Sequence, residues 1–424
     1  MLSERGKALS TLSGNTIGFT VCFAVWVIFA VIGIPIKDEL GLSDSEFGLL
    51  AATPILTGSL FRLPLGMLTD KYGGKIVFFA LMCAVIPPLY LISLAHQFWH
   101  LVLVGLAVGI CGASFSVGIA YTARWFPKNQ QGFAMGIFGA GNAGAAVTKF
   151  VAPTLVVWWG WESVPQIYAI ALAATAAIFW MLTYTDRSHR VVSQVSLRQQ
   201  FAILKDVRVL RYCQYYSIVF GGFVALSLWM TKYYISEYGF DIQTAALLAS
   251  IFVLPSGVIR ALGGWLSDKY GAYTVTWWVM WVCWVCLFIM SYPQTSLSVT
   301  TTHGPLAFDI KLNVWFFTFL LFIVGIAWGL GKASIFKFIS DDFSDNIGAV
   351  SGMVGLAGGM GGFLLPIMFG MILDLTGVNS SVFMLLYGVT CVSLVSMHFQ
   401  YKGEKRKQAI PPLKPAEPLK ASAQ

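Results

Sequence analysis

The stretch Gly58–Lys75, GSLFRLPLGMLTDKYGGK, returns in outline at Ser256–Tyr273 as SGVIRALGGWLSDKYGAY. A constant offset of 198 residues superposes Arg62 on Arg260, Gly66 on Gly264, Asp70 on Asp268, Lys71 on Lys269, Tyr72 on Tyr270 and Gly73 on Gly271. Chance similarity between apolar runs does not align arginine, aspartate and lysine together, so the chain is an internal duplication. A weaker echo sets Gly132, Gly136 and Gly139 against Gly348, Gly352 and Gly355. The segments around both copies are apolar. Of 424 residues, 57% are hydrophobic and 11% charged, with mean hydropathy +0.74. A soluble globular protein carries about 25% charged residues, so a bilayer is the solvent in which this composition folds.

Apolar runs bounded by Gly, Pro and charge place helices at about 15–36, 46–69, 75–95, 98–123, 131–157, 164–184, 211–235, 242–267, 273–292, 312–338, 346–373 and 378–400, each near the ~20 residues a span requires. The fold class is therefore an all-α membrane protein with 12 transmembrane helices in two pseudo-symmetric six-helix halves. Residues 1–184 form the first half, 185–210 a cytoplasmic linker and 211–402 the second half. The polar, Pro/Lys-rich end, 403–424, is expected to be a disordered cytoplasmic tail. The glycine-rich eleventh span is expected to be the least regular helix. With both termini in the cytoplasm, Arg5, Lys7, Lys71, Lys75, Arg124, the basic linker and the tail cluster all fall inside, and only Lys37, Lys232 and Lys311 fall outside. That partition satisfies the positive-inside rule for a cytoplasmic (inner) membrane, and it accounts for the net charge of +8 without nucleic acid.

Other functional classes find little support. The seven cysteines lie in apolar runs and read as small core hydrophobes, with Cys283 and Cys286 in CxxC spacing but without polar support. The run Thr16–Ile36 is longer than the ~7–15-residue core of a signal peptide and reads as the first span. HExxH, GxSxG and P-loop patterns are missing, so neither an enzyme, a metal nor a cofactor is expected.

The two repeat arginines stand out. Each precedes the aspartate of its repeat by eight residues, about 12 Å along a helix, and so lies near the middle of a hydrocarbon core about 30 Å thick. A charge there costs about 2.5–3.5 kcal/mol even on a lenient scale. The Asp and Glu residues fall in loops or at helix ends, among them Asp44, Glu46, Glu162, Asp341, Asp342 and Asp374. Pseudo-symmetry brings Arg62 and Arg260 together across a central cavity, and the missing counter-charge is most simply a small anionic substrate. Guanidinium is planar, always protonated and forked, which suits a flat, multi-oxygen anion. The bland reading is that each arginine holds backbone carbonyls or aromatic faces and merely joins helices. Asn142, an amide at membrane depth, is a further candidate contact.

The turn GMLTDKYGGK, Gly66–Lys75, resembles the loop signature of the major facilitator superfamily, with a degenerate copy from Gly264. That resemblance gives Asp70, Lys71, Asp268 and Lys269 the role of bracing a cytoplasmic gate. The glycine-rich runs Gly132–Pro153 and Gly348–Pro366, together with GASFSVGIAYTARWFP from Gly112, resemble the paired signatures of the nitrate/nitrite porter (NarK-like) family. The resemblance implies an anion bound by Arg62 and Arg260, sandwiched by the aromatics Phe115, Tyr216 and Phe220, and completed by Asn142, with Gly141 and Gly358 letting the backbone close on it. The expected partners are a nitrate or nitrite anion, protons and the lipid bilayer, with the protein a monomer.

Moving an anion into an inside-negative cell costs about 2.3 kcal/mol per charge per 100 mV, so uptake needs coupling. Lys149, Lys332 and Lys337 are candidate proton carriers, favouring nitrate/proton symport. Electroneutral nitrate/nitrite exchange is the alternative, needing only a site that cannot reorient empty; a porter for another small anion and an anion channel are the other readings.

Overall fold

The computed structural model describes residues 3–185, 206–302, 304–343 and 347–409. The first half contains α1 (Glu4–Trp26), α2 (Phe29–Leu40), α3 (Asp44–Leu60), α4 (Arg62–Tyr72), α5 (Gly74–Ile92), α6 (Phe98–Gly109), α7 (Ser114–Trp125), α8 (Lys128–Gly139), α9 (Gly144–Trp159) and α10 (Ser163–Leu182). The second contains α11 (Val207–Tyr216), α12 (Gly222–Tyr238), α13 (Ile242–Val258), α14 (Arg260–Tyr270), α15 (Ala272–Met290), β1 (Thr295–Thr301), β2 (Gly304–Ile310), α16 (Val314–Asp342), α17 (Ile347–Thr376) and α18 (Ser381–Ala409). Many of these helices are continuations of one another across short irregularities. Among the described residues, ten stretches are long and apolar enough to cross a membrane, and an eleventh is the pair α13 and α14, bent by 52°. The remaining expected span is the broken pair α8 and α9.

The duplication is written into the backbone. Helices α4 and α14 each have 11 residues, begin at an arginine and end on a glycine with positive φ, Gly73 at 91° and Gly271 at 84°. Only glycine adopts that conformation without strain. Each arginine follows one residue that interrupts the helix: Phe61 at φ −75°, ψ −7° and Ile259 at φ −67°, ψ −9°. In the first copy Pro64 has no N–H to offer the Leu60 carbonyl, which loosens the ladder at that point. Elsewhere the helix starts are capped by their own sequence. Ser43 and Glu46 form a reciprocal capping box on α3, and the Asp241 carboxylate accepts from the Thr244 N–H at 3.0 Å. Those bonds hold the Asp241 carboxyl below the usual carboxylate range.

Two expectations need correction, and one element adds to them. The glycine-rich eleventh span is a continuous 30-residue helix, α17, whereas the fifth is interrupted by a 3-10 turn at Ala140–Ala143. There the Asn142 side chain donates to the Gly139 carbonyl at 2.7 Å, competing with the main-chain ladder. The stretch between the ninth and tenth spans forms an antiparallel hairpin, β1 with β2, because Thr295–Thr301 alternates polar and apolar residues and is rich in Thr and Val. Helix α18 runs on to Ala409, past Gly403 where the tail was expected to begin. Residues 410–424 and 186–205, which hold most of the expected tail and linker, lie outside the described residues. The cysteines are free, with Cys22, Cys111, Cys213, Cys283 and Cys286 buried.

The two halves meet mainly along α3 against α17 and α9 against α13. Glycine permits the approach: a Cβ at Gly48 would run into the Pro366 carbonyl, and one at Gly370 into the Asp44 carbonyl. Small residues at such crossings are how membrane helices pack closely.

Candidate anion-binding site

The interruptions at Phe61 and Ile259 aim the first residues of α4 and α14 at the interior. Arg62 is 7% exposed, and its guanidinium carbon lies 5.7 Å from the Trp26 ring centre, 5.5 Å from Phe115 and 5.4 Å from Phe220. The guanidinium carbon of Arg260 lies 5.9 Å from Phe115 and 5.5 Å from Phe336. One ring, Phe115 on α7, therefore faces both guanidinium groups. Among the described residues neither arginine takes part in an ion pair. Arg62 Nη1 donates to the Gly355 carbonyl of the other half at 3.2 Å, while its Nε is buried with no acceptor. Two permanent cations near one aromatic ring, with a donor to spare, are an arrangement whose chemistry suits a small anion.

The aromatic wall comes from the seventh span. A π-helical turn at Ser217–Gly221 rotates Phe220 so that it stacks on Tyr216, with centroids 5.2 Å apart and planes within 2°. Such turns are frequent where a helix serves a site. Tyr216 meets Phe336 edge-on, at 5.2 Å and 87°. Gly358 is what seats this stack, since a Cβ there would strike the Tyr216 ring. Ser217 donates to the Ala357 carbonyl at 2.9 Å and ties the same turn to α17. Gly141, by contrast, faces α1, where a Cβ would lie 2.5 Å from Phe19. Asn142 is buried with one donor spent on Gly139 and its Cβ near the path of Gly257 on α13.

The three candidate lysines separate into two groups. Lys149 is 2% exposed and donates to Thr231 Oγ1 of the other half at 3.1 Å. Lys332 is 3% exposed, donates to Ser256 Oγ at 3.0 Å and stands over the Phe223 ring. Lys337 instead pairs with Asp341 at 2.8 Å and with Asp268 at 3.4 Å, at the end of the bundle that carries the repeat turns. Lys71 and Lys269 are exposed there, over Tyr72 and over Trp265 and Tyr270. The Asp70 side chain lies outside the described residues.

The model of the major facilitator superfamily matches residues 15–366. The chain belongs to that superfamily. Within it, the chain is 38% identical to a probable nitrate/nitrite antiporter, NarK1, of Thermus thermophilus, over 93% of this chain and 92% of that protein. It is 30% identical to a nitrite extrusion protein of Bacillus subtilis, with 93% and 95% covered, and 31% identical to a probable nitrate transporter, NarT, of Staphylococcus carnosus, with 93% and 96% covered. The chain thus belongs to the nitrate/nitrite porter family. The superfamily fold is also seen in the nucleoside transporter NupG, at TM-score 0.72 and 15% identity over 92% of this chain and 99% of that one. A bacterial homologue of the lysosomal transporter Spinster gives TM-score 0.74 at 14% identity, over 95% and 98%.

Several participants escape a sequence reading. Trp26 and Phe336 wall the arginines, yet in sequence they are ordinary members of apolar runs. Trp26 has one indirect sign, since Gly58 and Gly112 both leave room for its indole. The end of the bundle around Asp44 holds a cross-half lock of polar groups. Asp44 pairs with Lys232 at 2.7 Å and Lys37 at 3.4 Å. Asp374, at the far end of α17, accepts from the Asp44 and Ser45 N–H groups at 2.9 and 2.8 Å and from the Ser45 hydroxyl. Lys232, assigned from sequence to the outer side of the membrane, is 8% exposed within α12.

Proposed function

We propose that the protein is a secondary active transporter of nitrate, with nitrite as a second anion, working by alternating access in the cytoplasmic membrane. The observation that carries this reading is the convergence of Arg62 and Arg260 on one ring, Phe115, with neither in an ion pair among the described residues. The relatives' names point to the same anions. A planar anion between the two guanidinium groups would take up the free Arg62 Nε and neutralise like charges that otherwise repel. The ring of Phe115 and the Tyr216–Phe220 stack bound the space in ways that favour a flat, small ligand over a bulky carboxylate.

The positive-inside distribution puts both termini, and the turns with Asp70 and Asp268, in the cytoplasm. The Asp44–Lys232–Asp374 cluster then lies at the outer end and ties the two halves together there.

Proton symport is the coupling we favour, because Lys149 and Lys332 are buried, donate to hydroxyls and take part in no ion pair among the described residues. A hydroxyl serves as acceptor to an ammonium and as donor to a neutral amine, so each pair tolerates both protonation states. Exchange is the second reading, supported by the unneutralised arginines, which resist reorientation without an anion. Nitrate uptake into proteoliposomes separates the two. Uptake driven by a pH gradient alone supports symport; uptake only when nitrite is loaded inside supports exchange. Uptake under neither condition, in vesicles shown to be tight and active with another anion, overturns the nitrate assignment.

A further inference from the structure

The hairpin between α15 and α16 is amphipathic across its two faces. The register places Leu297 opposite Phe308, Val299 opposite Leu306 and Thr295 opposite Ile310, all on one side. The other side carries Ser296 opposite Asp309, Ser298 opposite Ala307 and Thr300 opposite Pro305. Ser296 donates to the Asp309 carboxylate at 2.6 Å, which pins that polar face. The first residue of each strand apart, every residue of the two strands is exposed. Leu297, Val299, Leu306, Phe308 and Ile310 are each between 41% and 50% exposed. A lone two-stranded hairpin is marginal in water and needs its apolar face covered.

Its position says by what. The strands spring from the ends of two membrane spans, with four residues between Met290 and Thr295 and three between Ile310 and Val314. The lipid-facing sides of those spans carry exposed Phe288 and Tyr292 on one and Trp315, Phe316 and Phe319 on the other, the aromatic girdle typical of the bilayer interface. The foot of the hairpin is tied to the bundle by Gln294, which donates to the Glu237 carboxylate at 2.8 Å, and by Tyr238, which donates to the Leu312 carbonyl at 3.3 Å. Lys311, exposed beside this foot, can reach headgroup phosphates along its aliphatic stem. We propose that the hairpin lies on the membrane, with its Leu297–Phe308 face in the boundary between headgroups and acyl chains and its Ser296–Asp309 face toward water. The lipid surface of the two spans thereby continues onto a non-helical element outside the bundle.

Nitroxide scanning of the full-length protein in proteoliposomes tests this, in a background with the accessible Cys83 and Cys391 replaced by serine. Labels at Leu297→Cys, Val299→Cys and Phe308→Cys are expected to be relaxed at least twofold more by oxygen, which partitions into lipid, than by a water-soluble nickel chelate. Labels at Ser296→Cys and Ser298→Cys should show the reverse. Equal exposure of both faces to the nickel chelate overturns the proposal, because the hairpin then stands free in water. Shielding of the apolar face from both reagents overturns it too, since a protein surface such as a second copy then covers it. Cysteine reactivity toward a water-soluble maleimide, read without a prior label, guards against a spin label that unpairs the strands; fast reaction at Ser296→Cys with slow reaction at Leu297→Cys is the expected alternation, and equal rates refute it.

Discussion

At the residue scale the proposed transport rests on two guanidinium groups, for which geometry matters as much as charge. Arg62→Lys and Arg260→Lys keep the charge but lose the planar fork, and hydrogen bonds to charged groups are worth about 1.5–3 kcal/mol. Each substitution is expected to weaken nitrate binding by roughly tenfold to a hundredfold, measured by isothermal titration of purified protein; unchanged affinity in both would remove the clamp. Gly358→Ala is the subtler probe. The added methyl meets the Tyr216 ring directly, so it should lower nitrate affinity without touching either arginine, whereas Gly66→Ala, at a glycine with open space around it, should not. Nothing in the sequence marks Gly358 as the seat of an aromatic stack, because a glycine every few positions is also what ordinary helix packing uses.

At the element scale, function depends on where helices are interrupted. The breaks before Arg62 and Arg260, the π turn at Ser217–Gly221 and the 3-10 turn at Ala140–Ala143 cluster at the level of the site, and each redirects a side chain that a regular helix would turn elsewhere. The closing contacts between α3 and α17 are element-scale as well. Asp374→Asn keeps the shape of the side chain but removes the charge that holds the α3 N-terminus, an interaction of about 0.3–2 kcal/mol. Paired with Asp44→Asn, which releases Lys232, it should shift the protein toward opening at that end. Thr231→Cys, fully buried in the closed interface, should then react several-fold faster with maleimide than in the parent, with Cys83 and Cys391 replaced. Equal rates would mean that glycine-mediated packing alone, through Gly48 and Gly370, keeps the end shut.

At the scale of the whole molecule, ligand and conformation are linked. A ligand that binds only the folded state stabilises it by about 2.7 kcal/mol at a hundred times its Kd, so nitrate should raise the melting temperature of detergent-solubilised protein, and Arg260→Ala should abolish the shift. A shift that survived in Arg260→Ala would place the anion somewhere else. Coupling is tested on the same scale: Lys149→Ala and Lys332→Ala are expected to remove uptake driven by a pH gradient while leaving nitrite-loaded exchange measurable. pH-driven uptake that persists in both variants would exclude these lysines as proton carriers.

Composition and the repeat at a 198-residue offset were enough to read a duplicated helical membrane protein, because apolar length and positive charge are one-dimensional quantities that a bilayer sorts directly. The repeat also singles out Arg62 and Arg260, which the structure brings to one ring, Phe115. The lock of Asp44, Asp374 and Lys232 did not show, since its members are separated by 142 to 330 positions in the chain and look like loop or exterior charges until the halves are packed. Trp26 and Phe336 stayed hidden for a related reason: in an apolar run every aromatic looks alike, and which one faces a guanidinium depends on helix rotation. Rotation in turn is set by side-chain packing between distant helices, a three-dimensional balance that local pattern does not encode.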